Sequence, residues 1–120
     1  MGDERKWFMT DLGPPLQLLV HRTQEGKVVA SLLQDGILSI WFKTIDRAET
    51  WARRVALPPN SGFMEMPTWT KILQTAEELD AGGCKEILLD PTGEPQKGIL
   101  LEDLIKEFRD LVGGKHHDRN

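Results

Sequence analysis

The sequence predicts an α+β fold: an antiparallel-rich mixed sheet with three helices packed on it, in a single domain. Three observations carry that expectation. Short β-branched and aromatic runs crowd the first third of the chain between turn signals. Three later segments repeat their apolar residues at helical spacing. The 120 residues, 39% hydrophobic and 28% charged, suit one core rather than several and neither a membrane protein nor a disordered chain.

Trp7 to Asp11 reads as a short strand, ended by Leu12-Gly13-Pro14-Pro15, where two prolines remove backbone donors. Leu16 to Arg22 (LQLLVHR) and Val28 to Leu33 (VVASLL) flank the polar turn Thr23-Gln24-Glu25-Gly26-Lys27 and form a β-hairpin. Gln34-Asp35-Gly36 leads into Ile37 to Lys43 (ILSIWFK), and Asp-Gly favours the positive φ angles of a tight hairpin turn. A three-strand antiparallel meander follows. In its third strand Leu38, Ile40 and Phe42 share one face while Ile37 and Trp41 share the other, so both faces need cover.

Thr44 is placed to cap a helix over Ile45 to Arg54, with Asp46 in the first turn and Arg53-Arg54 in the last, each of the sign the helix dipole prefers. Ile45, Ala48, Ala52 and Val55, with Trp51 beside them, make its apolar face. The Pro58 to Gly62 cluster is a loop, Gly62 to Met66 (GFMEM) a strand, and Pro67 suits the first position of the next helix. Trp69, Ile72, Leu73, Ala76 and Leu79 stripe that helix, and Gly82-Gly83 supplies a positive φ at its end. Cys84 enters a strand running to Asp90. Leu101, Leu104, Ile105, Phe108, Leu111 and Val112 form the clearest helical period in the chain. Gly113-Gly114 is expected to stop that helix, leaving a domain over residues 1–114 and a mobile polar tail over 115–120.

Charge and cysteine content narrow the function. Fifteen basic residues against nineteen acidic ones give a net charge of -4, and the basic residues are dispersed, which argues against a nucleic-acid partner. A lone Cys84 excludes an internal disulfide and points to a reducing compartment, the cytoplasm. The start MGDERKWF carries charges where a secretory leader needs an apolar run, and no window has the apolar length of a membrane-spanning helix.

Candidate chemistry is sparse. Asp90 precedes Pro91, which disfavours a helical backbone, and its carboxylate is expected to bond the N–H of Thr92 or Gly93 in an Asx-turn rather than to catalyse. Its nearest acidic neighbour in sequence is Glu94. His21 lies in a strand while His116 and His117 lie at the end of the chain, so no metal set is expected. Cys84 follows two glycines at a helix C-terminus, where the dipole disfavours a thiolate, and reads as a structural thiol. No nucleophile elbow, dinucleotide fingerprint or phosphate loop is present, and no cofactor is expected. The unusual feature is four tryptophans together with Phe42, Phe63, Met64 and Met66. Aromatic and Met side chains left over from the core suit a protein interface.

Three stretches, GILSIWFKTIDRAETWAR, TWTKILQTAEELDAGG and CKEILLDPTGEPQKGILLEDLI, resemble the N-terminal domain of the SseB (enhanced serine sensitivity protein) family. The resemblance runs from about Leu16 to Leu111 and rests on packing and turn residues. It implies an antiparallel sheet with helices packed on it, and it carries no catalytic role onto Asp90. A second, C-terminal domain of that family has no counterpart in these 120 residues. Two functions are therefore expected. The first is a non-catalytic cytoplasmic module that binds a protein partner or a second copy of itself through Trp41, Phe63, Met64 and Met66. The alternative is a small-molecule enzyme or ligand binder with Asp90, Glu94 and Trp41 in a pocket at the strand ends.

Overall fold

A computed structural model describes residues 13–91 and 97–118. Among them the chain forms one mixed sheet of seven strands, mostly antiparallel, with three helices. The expected strand at Trp7 to Asp11 lies outside the described residues. The strands are β1 (Leu16–Arg22), β2 (Val28–Ala30), β3 (Leu32–Leu33), β4 (Leu38–Phe42), β5 (Ser61–Met66), β6 (Glu86–Leu89) and β7 (Ile99–Leu100). The helices are α1 (Ile45–Val55), α2 (Trp69–Ala81) and α3 (Leu101–Asp118).

The start of the chain is not a simple meander. β1 pairs with β4 through Gln17 and Leu18, and with β2 through Val20, His21 and Arg22. β3 in turn pairs with the first residues of β4. The run expected as one strand, Val28 to Leu33, is thus divided at Ser31, where its pairing passes from β1 to β4. Side chains keep alternating through the break, and the Ser31 N–H donates to the Leu19 carbonyl at 3.0 Å. β2 and β3 fill the fork that opens between β1 and β4. The turn before β4 is also longer than a two-residue hairpin: Gln34, Asp35 and Gly36 all have positive φ, so Asp-Gly has the conformation expected of it and Gln34 joins it. β5 lies antiparallel along β1 over six paired positions. β6 lies parallel to β4, which makes the sheet mixed.

β4 is buried along its whole length, and its alternation divides the core. Trp41 belongs to the larger cluster, with Leu16, Leu18, Met66, Ile72, Ile87, Leu104 and Phe108, beneath α2 and α3. Its ring stacks on Phe108 at a centroid distance of 6.3 Å and an interplanar angle of 10°. Its indole N–H donates to the Ser39 hydroxyl at 3.0 Å. Ile40 and Phe42 face the other way and join Leu19 and Ala48, with Trp51, Leu57, Phe63 and Leu88 packed around them. Both faces of β4 therefore lie under helices, as its apolar parity requires.

The helix starts follow their caps. The Thr44 and Thr68 hydroxyls accept from the N–H groups of Arg47 and Lys71, each at 3.1 Å. Because Thr68 is the cap, Pro67 stands before it rather than at the first helical position. α1 meets the sheet through Ala48 and Trp51, in its middle turns. Ile45 and Val55, expected on that face, are 43% and 44% exposed because they sit at the helix ends. Gly83, with φ of 103°, makes the left-handed step after α2, and the Cys84 N–H reaches back to the Leu79 carbonyl. Gly113-Gly114 does not end α3, which continues to Asp118. Interior glycine costs a helix about 1 kcal/mol but leaves its hydrogen bonds intact. The residues 115–118 expected in a mobile tail are therefore helical.

Trp41 is 0% exposed, which corrects its expected role as a partner-facing residue. Met66 is likewise buried in the larger cluster. Trp41→Ala should cost about 3 to 5 kcal/mol of folding stability in a urea melt, the usual range for emptying a core aromatic site. A loss below about 1 kcal/mol would show that the stacked position is not filled in solution.

Candidate functional site

Asp90 stands where β6 ends, alongside the end of β4. Its N–H donates to the Trp41 carbonyl at 2.9 Å, which carries the parallel ladder one step past Leu89. The backbone then turns into the left-handed region, with φ of 49°. That conformation is uncommon for any residue but glycine, and Asp and Asn tolerate it best. The carboxylate turns toward the start of α1. Oδ1 accepts from the Lys43 N–H at 3.0 Å, and Oδ2 accepts from the Arg47 guanidinium at 2.6 Å. These bonds reach a different part of the chain from the one expected; the donors expected for the Asx-turn, Thr92 and Gly93, lie outside the described residues. Asp90 ties the end of one strand to the junction between β4 and α1.

That tie forms one wall of a cleft of about 320 Å³. Trp51 and Pro91 supply apolar surface over the buried Phe42, and Asp46, Arg47, Arg54 and Asp90 set charges of both signs around it. Trp51 leans on Phe42 at a centroid distance of 5.4 Å, yet it stays only half-buried. The Arg47 side chain is 58% exposed, against 17% for Asp90, so the contribution of the ion pair itself is small. A pocket next to Asp90 was the sequence expectation, but its tryptophan is Trp51, not Trp41, which points into the opposite core. Glu94 lies outside the described residues.

The remaining expected residues separate by parity. Phe63 faces α1 and meets Phe42 edge-to-face at 5.4 Å, whereas Met64 packs against the larger cluster. The two nevertheless line one cleft of about 610 Å³ beside β5, while Trp41 and Met66 are buried away from it. Burial pushes the Cys84 thiol above its ordinary value, and Sγ donates to the Ile37 carbonyl at 3.2 Å, as suits a structural thiol. Sequence reading did not foresee the contact of His21 Nδ1 with the Ser31 hydroxyl at 2.8 Å. It joins β1 to the point where the β2–β3 run changes partner, and only that nonlocal pairing brings the two residues together. Among the described residues no group of three or more His, Cys, Asp or Glu side chains is placed to hold a metal ion, and no helix is long and apolar enough to cross a membrane.

Asp90→Asn keeps an acceptor for the Lys43 N–H and suits the left-handed backbone, so it should lower stability by less than about 1 kcal/mol. Asp90→Ala loses the acceptor and keeps the backbone cost, and should lower it by about 1 to 3 kcal/mol. Denaturant melts of the two variants check this ordering, and equal large losses would mean that the charge, not the acceptor, holds the junction. No family model and no curated protein matches the chain.

Proposed function

We propose that this chain is a non-catalytic binding module that docks a protein partner, seating one apolar side chain of that partner in the cleft between α1 and the end of β6. The observation that carries this reading is the half-buried Trp51, an aromatic surface framed by Arg47, Arg54, Asp46 and Asp90. Tryptophan and arginine are the types that dominate binding energy at protein interfaces. About 320 Å³ lies at the small end of ligand pockets, a size that suits one inserted side chain. Both oxygens of Asp90 are engaged by Lys43 and Arg47, which favours a supporting role for it over proton transfer.

Affinity with the SseB N-terminal domain belongs to the same proposal. It is supported by the sequence stretches quoted for it and by the order of strand, Thr-capped helix, strand, second Thr-capped helix, two strands and closing helix. A cytoplasmic setting is supported by the buried free thiol of Cys84.

Thr50 lines the cleft and is exposed on α1, so Thr50→Trp should fill the cleft while changing stability by no more than about 0.5 kcal/mol. Affinity capture from the native host with wild-type bait should retain a protein that this variant releases. If the partner is a second copy, sedimentation velocity should show a wild-type dimer and a Thr50→Trp monomer. Identical captured proteins and identical sedimentation for the two baits would contradict the proposal.

A further inference from the structure

A second cleft, of about 500 Å³, lies on the opposite side of the sheet, between α2 and the strands β1, β2 and β5. Its walls are apolar: Leu18 and Val20 from β1, Val28 and Ala30 from β2, and Leu79 from α2. Lys71, Thr75 and Glu78 also line it, and their spacing places them on one flank of α2.

Thr75 is only 5% exposed, and its hydroxyl oxygen is buried with no hydrogen-bond partner. A hydroxyl left in that condition is costly, and buried polar groups in folded proteins nearly always have a partner. Threonine occupies two χ1 wells in a helix, and rotation between staggered wells moves the hydroxyl to a new side of the helix. As placed, the hydroxyl has no acceptor among the described residues, so the donor is available to a group bound in the cleft that the residue lines. One turn earlier stands Lys71, whose ammonium forms no ion pair among the described residues. Two donors one helical turn apart, with Cβ atoms about 5 to 6 Å from each other, suit a ligand head group that only accepts. A carboxylate is such a group, and its bonds to an ammonium and a hydroxyl are charge-assisted. Glu78 lies about 10 Å along the helix axis from Lys71, where its own charge disfavours a second anion.

We propose that this cleft binds an aliphatic monocarboxylate, with its carboxylate between Lys71 Nζ and Thr75 Oγ1 and its chain running along Leu18, Val20, Val28 and Ala30 toward Glu78. Lys71 supplies the charge, Thr75 supplies direction, and Glu78 selects against dicarboxylates. The site lies apart from the Trp51 cleft and does not depend on what binds there.

Titration of the isotope-labelled full chain with octanoate, followed by amide NMR, tests the proposal. Saturable shifts are expected at Ala30, Thr75 and Leu79. Thr75→Val and Lys71→Gln should each weaken octanoate binding about tenfold, Thr75→Ser should retain it, and suberate should bind more weakly than octanoate. Thr75→Val should also melt no lower than wild type, because it removes a hydroxyl that lacks an acceptor. No saturable shift at these amides, undiminished binding by Thr75→Val, or suberate binding as tightly as octanoate would overturn the assignment. A clear drop in the melting midpoint of Thr75→Val would do so as well, since it would mean that the hydroxyl has an acceptor within the folded chain.

Discussion

The structure depends on one constraint, the alternation of β4. Successive side chains of a strand point to opposite faces, and a one-residue slip would exchange every one of them. In β4 all positions are buried, so neither face can be conceded to solvent. Trp41 must find a cavity among α2 and α3, while Ile40 and Phe42 must be covered from the other side by α1. The register is held from both edges, by antiparallel pairing with β1 and β3 and by parallel pairing with β6. A slip would force the Trp41 indole against Ala48 and leave Phe108 without its stacked partner. The smaller of the two cores could not take the larger ring without moving α1.

The end of β4 then decides where binding surface is available. The chain leaves the strand at Lys43 and starts α1 at once, so the backbone N–H of Lys43 has passed the regular ladder. Asp90 meets it with a side-chain oxygen rather than a carbonyl, an acceptor that only the left-handed bend after β6 aims correctly. The same carboxylate also meets the exposed Arg47 guanidinium in the first turn of α1. A cleft remains between the helix and the bend because α1 touches the sheet through its middle turns alone. The Trp51 cleft is thus a consequence of how a short helix is anchored at one end.

Local signals were the legible ones. Thr44 and Thr68 announce helix starts because each hydroxyl acts within three residues of itself. The period of α3 and the positive φ after α2 are likewise written in short stretches. Parity alone placed Trp41 and Phe42 on opposite faces, but it did not say that two separate helix layers would cover them. Nonlocal facts were hidden. The change of partner at Ser31 depends on where β1 and β4 diverge, and the donors to Asp90 come from residues 47 and 43 positions away. Nothing in the α2 sequence singles out Thr75, and only packing reveals its hydroxyl as buried and unpartnered. Gly113-Gly114 misled for an energetic reason: glycine weakens a helix without forbidding it.

The division of the core by β4 is tested most directly by hydrogen exchange at the Trp41 indole N–H, followed by NMR. That proton is bonded to the Ser39 hydroxyl and is shielded from solvent. It should exchange only when the whole domain opens, with the same denaturant dependence as the amides of β4. Exchange at the rate of an exposed indole, or through local opening without loss of β4 protection, would contradict the placement of Trp41 beneath α2 and α3.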